Sequence, residues 1–166
     1  IVPTENDIYF RRQLLQGYVH DPGTAMMGGI AGHAGVFSNA NDLAKIMQMY
    51  MQKGDYGGKR YFSENTFDLF NSCIYCNEGI RRGLGFDKPE LDPEKEGPTC
   101  PGASPNSFGH SGLTGTLAWA DPDNGLVYVF ISNRVYPDQD NAKLYDMSIR
   151  TIIQQVLYDA IIDTKN

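Results

Sequence analysis

Residues 126–131 read Leu-Val-Tyr-Val-Phe-Ile, an unbroken apolar run bounded by Asp121-Pro122-Asp123-Asn124-Gly125 on one side and Ser132-Asn133 on the other. Six residues between turn signals predict a strand. Side chains alternate along a strand, so a run with no polar member needs cover on both faces. Such a strand sits inside a sheet with helices above and below. The chain offers few partners for it. The segment 108–120 reads as a second strand, with Asp121–Gly125 as the turn between the two. Gly83-Leu84-Gly85-Phe86 is a weaker candidate. The expectation is that strand 126–132 either stands as a free edge, pairs with a second copy, or finds its neighbour on sequence outside these 166 residues.

Helices fill most of the rest. Ile8, Leu14 and Leu15 space a short helix over 8–16, ended by Gly17 and Asp21-Pro22-Gly23. Residues 23–37 are dense in Gly and Ala, which lets backbones approach closely. Asn39 is placed to cap a helix, with Asp42 in its first turn. Leu43, Ile46, Met47, Tyr50 and Met51 then form one stripe, and Lys53-Gly54 stops it. Ser63 caps a shorter helix through Phe70. Residues 87–107, with five prolines, read as a long loop. A final helix is expected from Asn141 to about Ile162, with Leu144, Ile149, Ile152, Ile153, Val156, Leu157, Ala160 and Ile161 on its apolar face. Residues 1–166 are thus expected to form a single α+β domain: an antiparallel sheet of about three strands, a long C-terminal helix and preceding helical segments.

A net charge of −6 argues against nucleic acid as a partner. No apolar run approaches the ~20 residues of a membrane span. The chain starts at Ile1, which reads as a processed product or a piece of something longer. Cys73, Cys76 and Cys100 leave at least one thiol outside any internal pair. Cys73-x-x-Cys76 is half of a zinc pattern, but no second C-x-x-C completes it, and its flanks lack the strand and helix of a redox motif. Loop thiols, with one disulfide in an oxidising compartment, are the reading preferred. His20, Asp21 and His33 lack the i, i+4 helical spacing of metal ligands, and hydrogen bonding within loops suits them better. Trp119, on an apolar strand, reads as core. The glycine block has no Gly-Lys-Ser/Thr, so it is no phosphate loop. No cofactor or metal is assigned.

The densest motif is Ser107-Phe108-Gly109-His110-Ser111-Gly112-Leu113-Thr114-Gly115-Thr116. On a strand, His110 and Gly112 share one face and Ser111 takes the other. Gly112, lacking a side chain, lets a ligand lie against the backbone. This segment resembles the Lys/His–Ser/Thr–Gly motif of the serine β-lactamase and penicillin-binding-protein-like hydrolases, the group that includes class C β-lactamases and related esterases. The likeness continues through Val19-His20-Asp21, Gly28–Ser38, Asp42-Leu43, Gly83–Phe86, Gly115-Thr116, Trp119, Asp121-Pro122 and Ser132-Asn133-Arg134, in the family's order. Some bacterial members of this subgroup are joined to a family-3 β-N-acetylglucosaminidase.

The resemblance implies a partial β-lactamase/transpeptidase-like fold, an acyl-transfer reaction on an amide, lactam or ester, and a site outside the cytoplasm. It places His110 where the motif's lysine stands, to hold the substrate carboxylate or to tune the groups that move protons. Ser111 would hydrogen-bond that carboxylate, Gly112 would admit the substrate, and the Leu113 N–H would serve the oxyanion hole. Two departures matter. None of the eight serines is followed by lysine three positions on, so the Ser-x-x-Lys nucleophile is missing from this sequence. The formal Tyr-x-Asn match, Tyr75-Cys76-Asn77, falls after the glycine block where the family has it before, and reads as chance. The expected partners are therefore the N-terminal half of the same protein and a small-molecule or peptidoglycan-peptide substrate of the complete protein. The chain alone is expected to be inactive. The competing reading is a non-catalytic binding or accessory domain of a cell-wall-active protein.

Light scattering tests the unpartnered strand. An open edge predicts self-association that grows with concentration, whereas a clean monomer with that edge covered contradicts it.

Overall fold

A single carboxylate decides how the chain starts. In the computed structural model, which describes residues 1–92, 94–137 and 139–163, strands β1 (Pro3–Asp7) and β2 (Gln13–Gln16) pair antiparallel where the apolar spacing predicts a helix over 8–16. The Asp7 carboxylate accepts from the backbone N–H groups of Tyr9, Phe10 and Arg11. An aspartate so placed competes with helix formation. Arg12, at a left-handed φ of 53°, leads into β2, where Leu15 is buried and Leu14 exposed, the period of a strand. Burial alone would raise the Asp7 pKa. The Arg11 guanidinium, at 2.8 Å, and the three N–H groups outweigh it and hold the carboxyl far below its usual range.

The glycine-rich block yields one short helix, α1 (Pro22–Met26), capped by Asp21 through the Thr24 N–H. Helix α2 (Ala40–Met51) starts as the sequence predicts, with the Asn39 side chain accepting from the Asp42 N–H. Met47 is its buried member, while Ile46 is exposed. A small hairpin, β3 (Asp55–Tyr56) and β4 (Lys59–Arg60), follows. Ser63 then caps α3 (Glu64–Asn71). Residues 83–86 form no strand; instead Asp87 makes an isolated bridge to Gly109.

The main sheet comes late in the chain. Its strands β5 (Phe108–Ser111), β6 (Leu117–Asp121) and β7 (Leu126–Phe130) are antiparallel, in the order β5-β6-β7. The single strand expected over 108–120 is broken by a turn at Gly112–Thr116. Phe108, Ala118, Ala120 and Val127 face α2 and α3, packing with Met47, Phe67 and Phe86. Leu117, Trp119, Tyr128 and Phe130 form the opposite face. Of the apolar run only Tyr128 is fully buried, its other members in β7 are half-buried and Ile131 is exposed, while β7 stands at the sheet edge with β6 as its one strand neighbour among the described residues.

The helix expected over 141–162 is two helices, α4 (Lys143–Asp146) and α5 (Ile149–Asp163), separated at Ser148, whose φ is 47°. Its expected apolar face is exposed at Ile152, Ile153, Val156 and Leu157, and among the described side chains of α5 the buried ones are Gln154 and Tyr158. The reason is hydrogen bonding. Gln154 accepts from the Cys100 N–H at 3.0 Å and Gln155 from the Gly102 N–H at 3.1 Å, so α5 turns a polar side toward loop backbone that needs partners.

Asp121 joins these parts. Its carboxylate accepts from the Ser104 N–H and hydroxyl, the Asn124 amide and the Tyr158 hydroxyl, the last at 2.6 Å. Burial would raise its pKa, but these donors lower it overall, and burial with the same bond raises that of Tyr158. A carboxyl depressed in the folded state contributes stability at neutral pH and loses it as pH falls through its folded pKa. Asp121→Ala is predicted to cost about 3 kcal/mol in urea unfolding at neutral pH, and Tyr158→Phe about 1 kcal/mol. The Asp121→Ala deficit should shrink in acid; a deficit independent of pH would contradict this account.

Candidate functional site

Strand β5 is anchored before its polar residues begin. Phe108 is buried among aromatic rings, 5.1 Å from Phe67 and 4.9 Å from Phe86 between centroids. Gly109 is fixed from both sides. It pairs with Trp119 in the β5–β6 register, and its own N–H and C=O bond Asp87 at 3.1 and 2.8 Å. Along a strand, backbone groups alternate between the two edges. The Ser111 backbone therefore faces the same outer edge as that of Gly109, beyond the point where Asp87 covers it. His110 is exposed, with Nδ1 2.8 Å from the Ser111 carbonyl oxygen, and Ser111 is half-buried. The alternation expected of His110 and Ser111 follows from this register.

Gly112 starts a three-residue hairpin loop. The Gly115 N–H donates to the Gly112 carbonyl at 2.9 Å, and the Gly112 N–H to the Thr116 carbonyl at 2.8 Å. Gly115 has a φ of 95°, the left-handed residue that this loop type needs. A side chain there would also overlap Ser132 and Leu144.

Every carbonyl of the loop is engaged. That of Leu113 accepts from Arg134 Nε at 3.0 Å and from the Tyr145 hydroxyl at 3.2 Å. Thr114 accepts from the Arg134 N–H at 2.9 Å and the Ser132 hydroxyl at 3.2 Å. Gly115 accepts from Arg150 at 3.3 Å. The guanidinium groups of Arg134 and Arg150 both lie over the Tyr145 ring, 4.8 and 5.1 Å from its centroid. By contrast, the Leu113 N–H has no acceptor among the described residues. The loop thus offers an N–H, an imidazole and a hydroxyl, groups suited to anionic oxygen. Ser111 has no base in hydrogen-bond contact with its hydroxyl among the described residues, so it is not arranged as a nucleophile.

The other sequence candidates lie apart from this cluster's bonding. His20 Nδ1 sits 2.8 Å from Glu5, whereas His33 pairs with Asp21 at 3.0 Å and Thr24 at 3.1 Å. The Thr24 N–H and His33 bring the Asp21 pKa down to about 2. Among the described residues, no group of three or more potential metal ligands gathers. Cys73 and Cys76 are disulfide-bonded, and Cys100 is a buried thiol whose pKa burial raises. Tyr75 is exposed beside that disulfide. Trp119 is core. The loop's supports, Tyr145 and Arg150, carry no sequence signal of their own; the one pointer to Arg134 is its place in Ser132-Asn133-Arg134.

Removing the side chain of Tyr145 tests this clamp. Tyr145→Ala is predicted to speed hydrogen exchange at the Gly112, Gly115 and Arg134 amides by about tenfold. Exchange at Met47, in α2, should stay as it was. Unchanged rates at the loop amides would show that the clamp holds nothing.

The comparisons with known proteins match most of the chain. A family described as Beta-lactamase matches residues 5–148. A Salmonella enteritidis protein named "Putative D-alanyl-D-alanine carboxypeptidase" is 32% identical over 157 residues, covering 92% of this chain and 35% of its own length. An Escherichia coli K12 protein of the same name is 34% identical over 141 residues, covering 82% of this chain and 32% of its own. The chain therefore spans about a third of the length of these curated relatives. With the family match running from within β1 through the β5 motif to Arg134 and Tyr145, the chain belongs to the beta-lactamase family.

Proposed function

We propose that this chain forms one wall of a serine hydrolase site that works by acyl transfer, with the nucleophile supplied from outside residues 1–166. The observation that carries the reading is the Gly112–Thr116 loop, whose carbonyls are all bonded within the protein while the Leu113 N–H is left without an acceptor. A fixed N–H of this kind stabilises a carbonyl oxygen as it gains charge. In this reading the Ser111 hydroxyl holds the substrate carboxylate, His110 on the other face of the strand tunes the groups that move protons, and Gly112 leaves room for the substrate along the strand edge. Leu113 gives half of the oxyanion hole, and the nucleophile's own N–H gives the other half. The serine attacks the carbonyl, the leaving group takes a proton, and water releases the acyl group.

The name these relatives carry favours D-alanyl-D-alanine peptides over β-lactams or small esters as the substrate class. The reading also sets the reaction outside the cytoplasm, on cell-wall material. It gives β7 a strand neighbour from the rest of the protein, with a second copy of this chain as the alternative, and includes a family-3 β-N-acetylglucosaminidase fusion as one parent architecture. Among the described residues no helix is long and apolar enough to cross a membrane.

Nitrocefin, a thioester and a D-alanyl-D-alanine peptide, offered to this chain and to the complete protein, test the proposal. The chain alone should turn over none of them. The complete protein should hydrolyse at least one, and His110→Ala should lower its kcat/KM by about a hundredfold. Turnover by the chain alone that disappears with His110→Ala would overturn the assignment of the nucleophile.

A further inference from the structure

At the Phe108 end of β5, away from the Gly112 loop, a cleft of about 510 Å³ lies between the ends of α2 and α3, the loop before β5 and the β6–β7 turn. Lys88 is in its wall. Its ammonium donates to Asn71 Oδ1 at 3.2 Å and to the Asn106 carbonyl at 3.3 Å, and it lies 5.9 Å from the Phe108 ring centroid. An ammonium has three protons, and the third has no acceptor among the described residues. No carboxylate among them is within ion-pair distance of it either.

The other charged groups facing this cleft are engaged. Lys53 pairs with Asp68 at 2.9 Å, and the Asp123 carboxylate accepts from the Asn106 amide at 2.9 and 3.3 Å. The NH2 group of Asn71, whose oxygen Lys88 engages, has no acceptor among the described residues. Burial lowers the Lys88 pKa, with the charge of Asp123 acting against it. A partly dehydrated cation with a free proton, beside a free amide NH2 in a cleft of ligand size, is the arrangement that binds an anion.

We propose that this cleft binds a small molecule carrying one carboxylate, held by Lys88 Nζ and the Asn71 NH2, with its carbon body against Met51, Pro105 and Pro122. Asp123 and Asp68 at the same cleft weigh against a dianion. The proposal does not depend on the acyl-transfer reading, because none of its residues belongs to the His110–Leu113 cluster.

Benzoate and inorganic phosphate, titrated into the chain and followed by NMR, test it. Benzoate should produce saturable shifts at Lys88 and Phe108 with millimolar affinity, and nuclear Overhauser contacts from its ring to Met51. Phosphate should not compete. Lys88→Met should weaken benzoate binding by roughly tenfold or more. The contacts to Met51 in the unaltered chain give a readout that stands whether or not the variant folds. Absence of saturable shifts, contacts located elsewhere, or equal affinity in a folded Lys88→Met protein would overturn the proposal.

Discussion

The position of every polar group in the candidate site depends on the contact between Gly109 and Trp119. These two residues are paired across β5 and β6, and a Cβ on Gly109 would overlap the Ala118 carbonyl and the Trp119 ring. Trp119 can lie flat in the core only because the residue opposite has no side chain. Asp87 bonds the Gly109 backbone from the other edge. With Gly109 held between strand and bridge, the faces of the next residues follow from the pleat. His110 projects beside Phe108 on the α2 side, and Ser111 takes the opposite face. A one-residue slip would exchange them.

Beyond Ser111 the chain leaves the sheet, and a second set of contacts takes over. Arg134 reaches the loop with both its backbone N–H and its guanidinium, and its neighbour Asn133 donates to the Pro3 and Thr4 carbonyls. The segment after β7 therefore ties the first strand of the chain to the loop that presents Leu113. Tyr145, with the guanidinium groups of Arg134 and Arg150 over its ring, adds a hydroxyl to the same carbonyl. The Lys88 cleft and a second one of about 780 Å³ between residues 89–103 and the α4–α5 segment are lined by other residues, none of them between His110 and Leu113. His110, Gly112 and Leu113 are exposed and Ser111 is half-buried. This agrees with a chain that covers about a third of its relatives' length.

Legibility in the sequence followed the range of the deciding interaction. The caps at Asn39 and Ser63 were readable because side chain and N–H lie three residues apart. The apolar pattern over 8–16 misled because Asp7 satisfies nearby backbone in a way that hydrophobic spacing does not register. The break at Gly112–Gly115 lay in plain view as two glycines, but a turn after a strand and a bend within one look alike until the bonds to Thr116 are known. The face of α5 was not readable at all, since it is set by Cys100 and Gly102, whose N–H groups sit more than fifty residues upstream of their acceptors. The site divides the same way. His110, Ser111, Gly112 and Leu113 were found by their resemblance to a family motif, whereas the support from Tyr145 and Arg150 acts across 32 and 35 residues of chain and leaves no local mark.

The central claim is that these residues receive a substrate whose carbonyl is attacked from elsewhere. Peptide mapping by mass spectrometry, after the complete protein is trapped with a β-lactam or a slowly hydrolysed ester, tests this most directly. The account predicts a covalent acyl group on a serine outside residues 1–166, and a lower yield of it when Leu113 is replaced by proline, which removes the N–H. An acyl group on Ser111, or on any other residue of this chain, would contradict it.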